Sequence, residues 1–171
     1  MSGKIVYNIS VTGESPRTHQ ILEVQSMLKL MIGVKGTGKT KTLIEKVHAA
    51  AEASKGDVVC IEKGTNLRFN VKTKVRLIDT EEYLVHDADA LYGFVAGILA
   101  SNYDVTDLFV DNSLKICNGN VAAFEVLLNE IDALLAKHDV NVFMTASIPV
   151  EEATDTIKKY TEKCELTDKC K

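Results

Sequence analysis

Most of what this chain can fold into is decided between Leu28 and Val47. A largely apolar run, Leu28-Lys29-Leu30-Met31-Ile32, enters Gly33-Val34-Lys35-Gly36-Thr37-Gly38-Lys39-Thr40, and an amphipathic stretch leaves it. The loop fits G-x-x-x-x-G-K-[ST] at every fixed position, in the strand-then-helix context the pattern requires. Glycines let such a loop turn back on itself, so that backbone N–H groups point inward at a phosphate chain. Lys39 would reach the β- and γ-phosphate oxygens of a nucleotide, and the Thr40 hydroxyl would sit on Mg²⁺. A helix beginning near Lys39 would aim its positive end at the same anion. The expected phosphate-binding set is therefore Gly33, Val34, Lys35, Gly36, Thr37, Gly38, Lys39, Thr40 and Lys41.

Strand and helix patterns alternate regularly from there. Leu43, Ile44, Val47, Ala50 and Ala51 share one helical face, and Gly56 is the expected stop. Asp57–Glu62 is a continuous apolar strand ending in a carboxylate, and Lys63–Lys74 is polar, a loop or ragged hairpin. Val75–Asp79 is a further strand. Ala88–Ser101 keeps the helical period through Leu91, Val95, Ile98 and Leu99. Gly93 and Gly97 on that helix cost about 1 kcal/mol each relative to alanine, and close packing is the expected compensation. Asp107–Asp111 and Val140–Thr145 are strands around the amphipathic helix Asn120–Lys137. A helix Glu151–Glu162 is entered through Pro149, and Cys164-Glu165-Leu166 is a candidate last strand. Such βαβ alternation predicts an α/β domain with a mostly parallel sheet of about five strands, helices on both faces, and its ligand at the carboxyl ends of the strands.

The phosphate-loop residues make the chain resemble a P-loop NTPase, which implies a three-layer sandwich and a nucleotide site with Mg²⁺. The second motif of that class is an apolar run ending in Asp. Leu108-Phe109-Val110-Asp111 fits it, so Asp111 would accept from Mg²⁺-bound water near Thr40. Many ATPases of the class place Glu directly after this Asp, whereas Asn112 stands here and cannot take a proton. Glu62, at the end of the strand after the P-loop helix, is the candidate for positioning water in a catalytic role beside Lys39; the alternative is a solvated strand end. Glu81 and Glu82 are weaker candidates. Thr145 and Ser147 stand where a γ-phosphate sensor often sits, with a plain helix cap as the alternative at Ser147. No N-K-x-D motif follows Asp111, which favours ATP over GTP. Of the three arginines, Arg17, Arg68 and Arg76, none forms the lid cluster usual in small-molecule kinases of this fold.

Beyond the general class, Met27 to about Leu166 resemble small single-domain bacterial ATP-binding proteins often labelled twitching-motility ATPase-like. The resemblance implies nucleotide binding and no particular biological process. It sets residues 27–166 as the P-loop domain and 167–171 as a polar tail. For residues 1–26 two readings stand: a strand (Lys4–Val11) and short helix (His19–Met27) belonging to the fold, or an upstream extension of a start at Met27. The extension is the expectation adopted.

A formal charge of −4 gives no reason to expect nucleic acid or an anionic membrane. The local basic run Lys63, Arg68, Lys72, Lys74 and Arg76 reads as a solvated loop face, with nucleic-acid contact as the minor alternative. No apolar run approaches a membrane span, and residues 1–26 lack the apolar region of a signal peptide. Cys60, Cys117, Cys164 and Cys170 show no metal-ligand spacing and are expected reduced, with Cys60 in the core. Together these readings predict a cytoplasmic protein binding ATP and Mg²⁺, with slow or partner-stimulated hydrolysis. The alternative is a nucleotide-dependent switch that barely hydrolyses, or less favourably a small-molecule kinase. Association with an unidentified protein partner, or with further copies of the chain, is left open.

Overall fold

The computed structural model of the chain describes residues 27–161. Its strands are β1 (Leu28–Gly33), β2 (Asp57–Glu62), β3 (Arg76–Asp79), β4 (Val105–Val110) and β5 (Asn141–Ser147). Its helices are α1 (Lys39–Ala53), α2 (Ala88–Ser101), α3 (Ser113–Ile116), α4 (Val121–Leu135) and α5 (Asp155–Tyr160). The five strands are all parallel and lie in the order β1-β5-β4-β2-β3. Parallel pairing brings every strand's carboxyl end to one edge of the sheet. Gly33 pairs there with Ser147, Val110 with Met144 and Ile61, and Glu62 with Asp79. Residues scattered along the sequence from Gly33 to Ser147 thus meet on one rim.

Side chains alternate across the strands, so the sheet feeds two cores. Leu30, Ile61, Leu108, Val110 and Met144 face Leu91, Val95, Phe124, Leu128, Ile131 and Ile157 of α2, α4 and α5. Cys60, Phe109 and Phe143 face the opposite way, toward Leu43 and Val47 of α1. Helices therefore cover both faces. At about 1.5–3 kcal/mol for each fully buried large apolar side chain, Leu43 and Val47 are what press α1, and the loop before it, onto the sheet. Cys60 is a core residue as expected, and burial pushes its thiol well above the ordinary value.

Several sequence expectations need correction. Gly93 and Gly97 are exposed on α2, and a Cβ at either would meet nothing within 4 Å. No packing compensates their helix penalty among the described residues. Gly56 does not end α1 through a left-handed turn, since its φ is not positive. It is required because a Cβ there would lie 2.2 Å from the Asp104 carbonyl oxygen. The expected helix Glu151–Glu162 is broken: a 3-10 turn at Val150–Glu152 is followed by α5, which starts only after Thr154. The Thr154 side chain accepts from Ile157 N at 3.3 Å, a local cap that competes with continuing the first turn. Lys63–Lys74 forms irregular turns and no hairpin. The strand expected at Lys4–Val11, the one at Cys164–Leu166, and most of the helix His19–Met27 lie outside the described residues.

Candidate functional site

The glycine loop joins β1 to α1 on the carboxyl rim of the sheet. Gly36 and Gly38 adopt φ of 93° and 84°, which a side chain would resist. Gly38 stands immediately before α1, which begins at Lys39 as its sequence predicts. The Lys39 stem is buried, leaving the residue 7% exposed, and the ammonium turns back over the loop. It donates to the carbonyls of Gly33 and Val34, both at 2.8 Å. Thr37 braces the same turn, its hydroxyl donating to Val34 O at 2.9 Å. The charge is thus held in place by the loop's own backbone. Burial lowers the Lys39 pKa, and the Asp111 carboxylate opposes that shift.

Facing the loop is a cavity of about 350 Å³ lined by Lys35, Gly36, Gly38, Lys39, Thr40, Asp111, Asn112, Thr145 and Ser147. Of the expected phosphate-binding residues, five border it directly. Gly33, Val34 and Thr37 act from behind, while Lys41 is exposed and lies off the lining. Asp111 follows the last residue of β4 and reaches Thr40: the threonine hydroxyl lies 3.2 and 3.3 Å from the two carboxylate oxygens. Seventy-one residues separate this pair in sequence. Its meeting follows from β5 lying between β1 and β4, so that both loops overhang the same strand end.

That intervening strand contributes Thr145, which is 1% exposed. Its hydroxyl donates to Asp111 Oδ1 at 2.8 Å and accepts from Asn112 N at 2.8 Å. Ser113 Oγ donates to the Thr145 carbonyl, also at 2.8 Å. Asn112 itself takes a left-handed backbone (φ 52°, ψ 46°) that turns the chain from β4 into α3. Ser147 ends β5 on the cavity and caps no helix, since Pro149 precedes the next turn.

Glu62, the candidate for positioning water or else a solvated strand end, is neither on the cavity lining nor solvated, being 2% exposed. Its two carboxylate oxygens accept from Leu67 N at 3.1 and 3.0 Å. Burial raises its pKa above the ordinary carboxylate value; the amides of Leu67 and Asn66 oppose the rise, and the carboxylates of Asp79 and Asp111 add to it. In this arrangement Glu62 ties the 63–67 turn to the sheet, and Leu67 drops into the core beside it. A lone leucine in a polar stretch was the available signal for that anchor. Asp79 works similarly, accepting from Gly64 N at 2.8 Å and Glu81 N at 3.0 Å. Arg68 and Arg76 are exposed and do not line the cavity, and Arg76 opens β3 at the end of the strand away from the rim.

The donor set suits a hard divalent cation: a hydroxyl and a carboxylate meet beside a buried ammonium, and no thiolate or imidazole is on the lining. Lys39 could hold an anion in this cavity, and Thr40 with Asp111 a divalent cation. No helix among the described residues is long and apolar enough to cross a membrane. No model of a known protein family matches the chain, and no curated protein matches its sequence.

Proposed function

We propose that this chain is a P-loop nucleotide-binding protein that takes ATP with Mg²⁺ and hydrolyses it slowly or under stimulation by a partner. The observation that carries the reading is the convergence of Lys39, Thr40 and Asp111 on one cavity, across a parallel sheet rim. Oriented backbone, a fixed ammonium and a hydroxyl–carboxylate pair are the parts a triphosphate and its cation need. Lys39 would bind and orient the terminal phosphates, and the cation would neutralise charge developing on them. Association with a further protein, or with further copies of the chain, belongs to the same proposal as the source of stimulation.

One observation favours the second reading, a nucleotide-dependent switch with little turnover. Asn112 occupies the place where a carboxylate would orient water, and the nearby Glu62 carboxylate is committed to Leu67 N. ATP binding and phosphate release, measured together with and without Mg²⁺, separate the two. Lys39→Ala removes a charge-assisted contact to two phosphate groups, worth roughly 3–4 kcal/mol, so affinity should fall about 10²–10³-fold. Turnover alongside Lys39-dependent binding makes the chain an ATPase, and binding without turnover points to a switch or to a missing partner. If the unmodified protein binds no nucleotide, the proposal is wrong.

A further inference from the structure

We infer that Thr145 is a positioning residue for the metal carboxylate, and that it does not read the terminal phosphate itself. The inference rests on the nucleotide-binding reading and adds to it a role for β5. A threonine hydroxyl has one proton to give. The Asn112 N–H points at Thr145 Oγ1 from 2.8 Å, so that oxygen accepts on that side. Its proton is thereby directed to Asp111 Oδ1, 2.8 Å away. Nothing is left on Thr145 to donate to a phosphate.

The consequence falls on Asp111. Among the described residues its carboxylate has two donors, Thr145 on Oδ1 and Thr40 through longer contacts. With Mg²⁺ held, the Thr40 oxygen would give a lone pair to the cation, so its already long contact with Asp111 is free to change. Thr145 remains, buried and anchored a second time through Ser113 Oγ on its carbonyl. It holds Oδ1 at 2.8 Å, while Oδ2 has only the longer Thr40 contact among the described residues. The same hydroxyl, by accepting Asn112 N–H, also stabilises the left-handed turn that carries Asp111 into place. One side chain on the intervening strand thus sets both the rotamer of the metal ligand and the turn beside it.

Thr145→Val keeps the shape and removes the hydroxyl, while Thr145→Ser restores it; both are compared with the unmodified chain. Amide exchange at Asn112, read without any ligand, should quicken in the valine variant and return toward the original rate in the serine variant. ATP affinity in EDTA should stay within about twofold, while the Mg²⁺ concentration for half-maximal stimulation of binding should rise about 10–100-fold, the usual range for partners behind a metal ligand. Serine should recover most of that shift. Thermal unfolding of each variant identifies one that fails to fold, in which case Thr145→Ala, which leaves room for a water, replaces the valine. An unchanged Mg²⁺ midpoint in a folded valine or alanine variant overturns the inference and leaves the nucleotide-binding reading intact. Loss of ATP affinity in EDTA would make Thr145 a phosphate contact and overturn it too. Absence of ATP binding in the unmodified chain overturns both.

Discussion

Alanine at Gly93 or Gly97 should stabilise this protein, whereas alanine at Gly56 should destabilise it. On α2 a new methyl group at either position meets no atom within 4 Å, so the substitution changes only backbone freedom and helix propensity. Gly is less favourable than Ala by about 0.8–1.0 kcal/mol in a helix interior, partly because the unfolded chain then has fewer conformations to lose. The double variant should therefore gain about 2 kcal/mol. For a chain of this size that raises the thermal midpoint by about 4–8 °C. At Gly56 the same methyl group would stand 2.2 Å from Asp104 O and 2.5 Å from Thr106 Cγ2. Asp104 O already accepts from Asp57 N at 2.7 Å, so it cannot withdraw without loosening the start of β2. Overpacking of this kind costs about 1–3 kcal/mol, and a backbone obstacle puts Gly56→Ala at the upper end. Urea unfolding followed by circular dichroism measures all of these, with the m-value expected unchanged. Destabilisation by Gly93→Ala or Gly97→Ala would show that the exposed face of α2 is packed in solution, and would refute the reasoning. So would a Gly56→Ala variant as stable as the parent.

Two predictions bear on the site. Asp111→Asn keeps the side chain's shape and its acceptor for Thr145 but removes the charge, so Mg²⁺ stimulation of ATP binding should weaken by tenfold or more while binding in EDTA persists. Calorimetric titration across Mg²⁺ concentrations reads this, and unaltered stimulation would place the cation elsewhere. Glu62→Gln should alter the pH dependence of stability, because burial raises the native pKa of Glu62 above its unfolded value. Between those values the native state holds a proton that the unfolded chain has released, so stability falls as pH rises through the window. Glutamine cannot ionise, so the variant should lose that part of the fall, and the parent should compare least well above the native pKa of Glu62. Parallel slopes for the two proteins from about pH 4.5 upward would contradict the burial argument. Phosphate release from the same variant tests catalysis: retained turnover assigns Glu62 to the loop, and abolished turnover with intact binding assigns it to the water.

Local chemistry made part of this protein legible in the sequence. Asp57–Glu62 and Ala88–Ser101 fall where the apolar pattern puts them, because a short apolar run and a four-residue repeat are local signals. The glycine loop is equally local: glycines at Gly36 and Gly38 permit backbone that other residues resist, and α1 starts on Lys39. Asp111 was legible as the end of an apolar run. Its contact with Thr40 was not, since it depends on which strand lies between β1 and β4. The order β1-β5-β4-β2-β3 is a choice among long-range pairings that no window of sequence encodes. That order brings the Thr145 hydroxyl to 2.8 Å from Asp111 Oδ1, thirty-four residues away in sequence. It also decided which glycines matter: exposure leaves Gly93 and Gly97 with open space, while a neighbouring carbonyl leaves Gly56 none. The sequence by itself determined the elements and the chemistry placed at their ends. Only tertiary packing decided which of those groups face the cavity and which are consumed holding one another, because that depends on partners far apart along the chain.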